Sequence, residues 1–488
     1  MLNKYVSPVS LLALALIVRS VAFLQVEVIP RDGIYFLQQA DHLLQGDWNR
    51  ALSWYQHPLF AALIACVKSL SGLSLETAGS LVALGAGALA VVPLSLLMTR
   101  VFGSKAGVSA GILYAVLPLA VRFSVRPLSE GPFYFFLFLS ALAGVETLLR
   151  SGRFAPILAG VFGGLAYLVR PEGLAAPLVT LIGVLVFPAC RAWKGRISAA
   201  LLLGLGLAVS AGPYVTFLSH EAGTLKLTAK KDLRVLSGAR SDRPLQRLSD
   251  EGLSDRGVAA SLQLVSHLLE SVSYLPVVLA LIGGLFPGRK NRSRGEVFLL
   301  LLVLLFAAVL FRLAYTYGYL ARRHTLTPGL FLLGWSGMGV AWLSTRWNAR
   351  RRIHACLVLL ITAGMLPFAW KNVDRNHLPL KTLGRWIQDH QGKNRRIAPM
   401  GYPRIAYYAG ADPIDLLSKH QELWSDTPGT EAFEALKKDL IARRIEFIVH
   451  AARQPAPLGG WIEAHSALLH RVQDKGKKWW SVRVLSLP

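Results

Sequence analysis

One acid stands at the head of the most informative stretch of the chain, Arg31-Asp32-Gly33-Ile34-Tyr35-Phe36-Leu37. It follows the first apolar run and precedes a segment in which Ile34, Leu37, Ala40 and Leu44 recur at helical spacing. Such a helix would lie along the membrane surface and hold Asp32 at the interface. The same position also suits an Asp that caps a helix N-terminus, and spacing alone leaves both readings open. His57, in Gln56-His57-Pro58-Leu59, could donate to a phosphate or orient an acid, or be a solvated loop histidine. Three further clusters combine cations with acids or histidine: Arg126 with Glu130, Arg170 with Glu172, and Arg322-Arg323-His324. Guanidinium groups donate paired hydrogen bonds that match a phosphate. Each Arg–acid pair is equally compatible with a structural ion pair.

The elements that position these residues follow from composition. Of 488 residues, 53% are hydrophobic and 17% charged, against about 25% charged in a soluble protein. Apolar runs of about 17–25 residues, enough to cross about 30 Å of hydrocarbon, account for the difference. Roughly eleven are read, near 8–26, 77–99, 106–121, 127–149, 154–169, 172–190, 197–218, 262–286, 296–317, 324–345 and 353–370. Arg19 and Arg312 fall inside such runs. The first run lacks a small-residue cleavage site and is read as a retained helix.

Alternate connections differ in charge. One set holds Lys4; Arg100 and Lys105; Arg150 and Arg153; Arg191, Lys194 and Arg196; Arg289, Lys290, Arg292 and Arg294; then Arg346, Arg350, Arg351 and Arg352. After the N-terminus this set contains no acid, and by the positive-inside rule it is cytoplasmic. Most of the formal charge of +25 is thereby assigned to membrane topology rather than to nucleic acid. The N-terminus is then inside. The first loop (27–76), a second long loop (219–261) and the tail (371–488) are outside. Arg122, Arg126, Arg170, Arg322 and Arg323 also fall outside, against the trend, on the face that carries Asp32. This points to an anionic partner there, or to arginines that snorkel to the interface.

Two interfacial helices are expected in the first loop: the amphipathic one around Asp32, and a second one opened by Pro58, too short to span. The tail reads as a small α/β domain. Helices are expected at 380–390, 405–409 and 430–443, strands at 396–400 and 445–450, and a final hairpin turning at Lys475-Gly476. The expected architecture is mainly α: a transmembrane domain over 1–370 and an extracytoplasmic α/β domain over 371–488. Cys66, Cys190 and Cys356 imply neither a disulfide framework nor a metal motif.

The order of these motifs resembles the GT-C superfamily of membrane glycosyltransferases. The shared features are an outer acid, a Pro-opened interfacial helix, Ser129-Glu130 at a span start, Arg170-Pro171-Glu172-Gly173 between spans, and basic residues opening a late span. The likeness covers about the first 370 residues and is nearest the branch of protein O-mannosyltransferases and bacterial aminoarabinose and galacturonic acid transferases. It implies transfer of a sugar from a polyprenyl-phosphate donor to a lipid, glycan or protein acceptor, at the outer face of a bacterial cytoplasmic membrane. In that reading Asp32 is the base, and Arg126, Arg170, Arg322 and Arg323 hold the donor phosphate. Arg31, His57, Glu130, Glu172 and His324 support them, and no metal, cofactor or nucleic acid is implied. The chain departs from the pattern in two places. Gly33 stands where some relatives have a second acid, and Gln56-His57-Pro58 where the aminoarabinose branch has Lys-Pro-Pro. No DxD motif follows Asp32. The alternatives are a lipid or glycan flippase and an envelope-polysaccharide polymerase or ligase.

Overall fold

Inside hydrocarbon every backbone N–H and C=O must bond within the chain, so an apolar run crosses as helix. The computed structural model describes residues 7–150, 152, 154–187, 193–229, 253–285, 293–346, 352–371, 377–392, 395–400, 402–411, 423, 428–451, 454, 456–473 and 479–486. The apolar runs all fall on helices. In chain order these are α1 (Pro8–Phe23), α2 (Arg31–Leu44), α3 (Trp48–Leu52), α4 (Pro58–Ser71), α5 (Leu75–Leu89), α6 (Val91–Phe102), α7 (Ser104–Val116), α8 (Pro118–Ser124) and α9 (Glu130–Leu149). Next come α10 (Ala155–Val169), a 3-10 turn (Pro171–Leu174), α11 (Ala175–Val186), α12 (Trp193–Ala222), α13 (Leu253–Ser271), α14 (Leu275–Leu285), α15 (Arg294–Tyr317), α16 (Arg322–Arg346) and α17 (Arg352–Ala369).

Among the described residues, five helices are long and apolar enough to cross a membrane, or up to seven if two bent pairs each form one span. The expectation of eleven full spans is therefore not met by length. α1 has 16 residues and α10 has 15, about 24 Å of helix at 1.5 Å per residue. The run at 262–286 also differs from a single span: α13 and α14 meet at 101°. The bend is made by Ser273 and Tyr274, both left-handed, at φ 62° and 58°. That conformation costs a non-glycine residue about 1–2 kcal/mol. The Tyr274 N–H donates to the Leu269 carbonyl at 2.8 Å and satisfies the helix end. The other bend, 59° between α7 and α8, has a simpler cause, since Pro118 has no N–H to continue the ladder. Most of the second long loop, 230–252, lies outside the described residues.

Contacts divide the chain into two compact units, residues 1–25 with 36–371, and residues 26–35 with 372–488. In the first, helices approach closely where glycines remove the side chain. A Cβ on Gly160 of α10 would lie 2.1 Å from the Leu203 carbonyl oxygen of α12, and one on Gly206 of α12 would lie 2.3 Å from that of Ile157. Small residues permit this backbone approach within a membrane.

The second unit contains α18 (Leu378–Gln391), β1 (Ile397–Ala398), α19 (Pro403–Tyr408), α20 (Thr430–Ala442), β2 (Phe447–Ala451), α21 (Ala456–Ala464), β3 (Ser466–Gln473) and β4 (Trp479–Leu485). The sheet order is β1-β2-β4-β3. β1 runs parallel to β2, Ile397 opposite Phe447, and β4 is antiparallel to both β2 and β3. All five β2 residues are buried. α18, α19, α20 and the strands match the sequence pattern to within a few residues. α21 was not expected, and the hairpin turn at Lys475-Gly476 lies outside the described residues.

The glycine crossing generates a test. Gly160→Ala and Gly206→Ala should each lower stability by about 1–3 kcal/mol, because backbone must move. Gly204→Ala, whose Cβ meets nothing within 4 Å, should be neutral or slightly stabilising. Melting temperatures of the detergent-purified protein separate the two classes.

Candidate active site

α9 has a polar group at each end. Glu146, in its last turn, accepts from Arg100 at 2.7 Å and lies 3.7 Å from Arg150. Glu130 opens the helix sixteen residues earlier, about 24 Å away along the axis. There it is 2% exposed and accepts from Arg170 Nη1 at 3.0 Å. Arg170 Nη2 donates to Glu172 at 3.2 Å. Thus two of the connections read as cytoplasmic from charge, those carrying Arg100 and Arg150, meet at one end of α9. The connections that carry Glu130 and Arg170 meet at the other.

This geometry corrects one pairing. The acid near Arg126 is engaged by Arg170, because α10 returns antiparallel to α9 and brings the residue that caps its C-terminus to the first of α9. The Arg170 guanidinium also lies over the Phe133 ring at 5.4 Å. One cation between two carboxylates leaves a formal charge of −1, which does not favour an anion. The cluster is better suited to holding helix ends than to binding phosphate. Arg126 is half-buried on the connection between α8 and α9, where its carbonyl accepts from Leu128 N at 2.6 Å.

His57 precedes α4, with Pro58 as the first helical residue. It is 1% exposed rather than solvated. Nε2 is hydrogen-bonded to the Thr228 hydroxyl at 3.0 Å, and the ring packs on Tyr167 and Tyr214 at 4.9 and 5.3 Å. Tyr167, three residues before Arg170, donates its hydroxyl to the Leu227 carbonyl. The start of the second long loop is thereby fastened to the first loop and to the end of α10. Helical spacing from Arg170 was a signal for Tyr167. Thr228, in a polar loop, gave none.

Arg322 opens α16, and its Nε stands 2.5 Å from Glu270 Oε2. The Arg322 side chain is 65% exposed. Thr325 ties the same helix start to α13 by donating to the His267 carbonyl at 2.9 Å. Glu270 was missed in sequence, although an acid inside the run 262–286 was a visible signal. Arg323 and His324 are half-buried in the first turn of α16. Among the described residues, no three His, Cys, Asp or Glu side chains gather closely enough to hold a metal ion.

Arg31 and Asp32 belong to the second unit, and the other eight candidate residues to the first. α2 begins at Arg31, so Asp32 lies inside its first turn and is not the N-cap. An acid there still suits the helix dipole. Ile34, Leu37 and Ala40 are buried as the amphipathic pattern requires, whereas Leu44 is exposed. The segment before Asp32 is held by the tail. The Ile29 N–H donates to the Tyr408 hydroxyl at 2.8 Å, Arg404 Nε to the Ile29 carbonyl at 2.7 Å, and Lys381 Nζ to the Glu27 carbonyl at 2.5 Å. The tail residues therefore fix the approach to Asp32, which no local sequence pattern revealed.

The fold is similar to that of solved GT-C glycosyltransferases, and one family model matches part of the chain. Residues 56–215 match the family model for dolichyl-phosphate-mannose-protein mannosyltransferase. ArnT from Cupriavidus metallidurans, bound to undecaprenyl phosphate, has a TM-score of 0.63 at 14% identity over 97% of each chain. The oligosaccharyltransferase of Archaeoglobus fulgidus has a TM-score of 0.58 at 11% identity, over 97% of this chain and 74% of its own. The mycobacterial arabinofuranosyltransferase AftD has a TM-score of 0.54 at 14% identity, over 99% of this chain and 42% of its own. No curated protein sequence matches. At these identities the structural likeness is one of fold.

The buried pair predicts a coupling. Glu130→Gln should cost roughly 3 kcal/mol, since removing one partner leaves a buried charge poorly compensated. Glu130→Gln/Arg170→Gln should recover part of that loss. Thermal unfolding of the single and double variants measures it, and simple additivity would contradict the pairing.

Proposed function

We propose that the chain is a glycosyltransferase that moves a hexose or pentose from a polyprenyl-phosphate carrier to an acceptor hydroxyl at the extracytoplasmic face of a bacterial inner membrane. The observation that carries the reading is the fold shared, over nearly the whole of both chains, with ArnT bound to undecaprenyl phosphate. The family match over 56–215 supports it independently, because that segment holds His57, Arg126, Glu130, Arg170 and Glu172. The acceptor is a lipid, a glycan or a protein.

In the reaction the acceptor oxygen attacks the anomeric carbon, and the bond from that carbon to the phosphate oxygen breaks. A single displacement inverts the anomeric configuration. Asp32 takes the acceptor proton as general base. The lipid phosphate leaves as an anion, and cations that strengthen their hold as its charge develops lower the barrier. Arg126 and Arg323 serve that role, with Arg322 sharing its charge between the phosphate and Glu270. His324 and Arg31 are supporting groups in this reading. Arg170 acts indirectly, as a positioning residue locked to Glu130 and Glu172, and His57 anchors the two long loops.

Asp32→Asn keeps the side-chain volume and removes the base. Transfer from a panel of polyprenyl-phosphate-linked pentoses and hexoses by purified protein should fall roughly 10²–10⁴-fold, the usual worth of a positioned base. Asp32→Glu should retain a measurable part. Full transfer by Asp32→Asn on the sugar that wild type uses would remove the base assignment.

A further inference from the structure

Arg19 is a cation inside the first apolar helix, and no step proposed above uses it. It is 0% exposed. Its Nε donates to the Ser124 hydroxyl at 2.9 Å, and Nη1 donates to the carbonyls of Ala115 at 3.2 Å and Ala15 at 3.4 Å. Its guanidinium lies over the Tyr114 ring at 5.0 Å. Nη2 is buried and has no partner among the described residues. Every group that meets Arg19 is neutral.

A second cation stands on the same short helix as Ser124. Arg122 is half-buried and donates through Nη2 to the Phe368 carbonyl at 2.6 Å, at the end of α17. Its Nε is buried and likewise lacks a partner among the described residues. Two residues further on, Trp370 Nε1 donates to the Val18 carbonyl at 3.1 Å. The ends of α1, α8 and α17 thus meet around Arg19 and Arg122, and among the described residues neither cation has an ion-pair partner. Elsewhere in the bundle the cations Arg100, Arg170 and Arg322 each have a carboxylate. Two positive charges left against neutral acceptors in an apolar bundle are costly unless an anion completes them.

We propose that the α1–α8–α17 junction is an anion site for the phosphate monoester headgroup of a lipid, with Arg122 as the contacting side chain. Arg19 is the buried positioning residue: it holds Ser124, and so the corner that carries Arg122, and adds its own charge behind it. The assignment rests on the proposed polyprenyl-phosphate carrier, whose phosphate becomes a monoester once the sugar has left, and it gives that monoester a second place beside the leaving-group cations Arg126, Arg322 and Arg323.

The test is binding rather than turnover. Full-length protein in detergent is titrated with undecaprenyl phosphate, undecaprenol and inorganic phosphate, and tryptophan fluorescence and melting temperature are followed. Wild type should respond to undecaprenyl phosphate and not to undecaprenol. Arg122→Gln should weaken binding roughly tenfold or more, the loss of one charge-assisted contact. Arg19→Met should weaken it to a similar degree while melting within about 4 °C of wild type, because an apolar isostere replaces a costly buried charge. Arg19→Lys, which keeps the charge, should recover part of the binding. An equal response to inorganic phosphate would assign the same anion site to soluble phosphate instead of a lipid. Wild-type affinity in both Arg122→Gln and Arg19→Met would overturn the site, as would loss of binding in Arg19→Met strictly in step with loss of stability. Arg122→Gln alone decides the matter if Arg19→Met does not fold. Absence of binding by wild type would instead overturn the lipid-phosphate donor.

Discussion

A guanidinium that is half-surrounded by apolar side chains needs a carboxylate, and Arg170 has two. Its bond to Glu130 joins the C-cap of α10 to the first residue of α9, and its bond to Glu172 stiffens the turn into α11. α9 packs against α5, α6, α10, α11 and α15, so this contact sets the end of the bundle's central element. The opposite end is held by Glu146 between Arg100 and Arg150. Hydrocarbon tolerates neither pair in its middle. The separation of the two, about 24 Å along the helix, is what an apolar slab of membrane thickness imposes.

The remaining cations take their meaning from that arrangement. Arg322 is drawn to Glu270 by the sharp return of α13 into α14, which leaves its exposed side chain with charge partly committed. Arg19 and Arg122 have only neutral acceptors among the described residues, and that contrast marks their junction. Asp32 depends on a different support. Tyr408, Arg404 and Lys381 grip the backbone three and five residues before it, so that the tail orders the segment from which α2 begins.

Much of this was legible in the amino-acid sequence. Apolar length located the runs that form the long helices of the bundle, charge alternation separated the two ends of α9, and Pro58 marked the start of α4. The segment Ile445–His450 read as the strand that becomes β2, and the chain end read as the β3–β4 hairpin. Other features depend on chain segments far apart, and no local pattern encodes those. Glu130 stands four residues from Arg126, yet antiparallel packing gives it to Arg170. His57 reads as a loop histidine until Tyr167, Tyr214 and Thr228 close over it. Asp32 was compatible with a helix cap, and only the helix start at Arg31 decides against it. The break at Ser273-Tyr274 was hidden because neither residue type favours a left-handed backbone, so the run 262–286 read as continuous.

The most direct measurement is a cryo-electron microscopy structure of the full-length protein in nanodiscs with undecaprenyl phosphate bound. The account predicts phosphate density within hydrogen-bonding distance of at least one of Arg122, Arg126, Arg322 and Arg323, on the side of the membrane that carries the Asp32 carboxylate. Phosphate density at the other end of α9, beside Arg100 and Arg150, or on the side of the membrane away from Asp32, would contradict it.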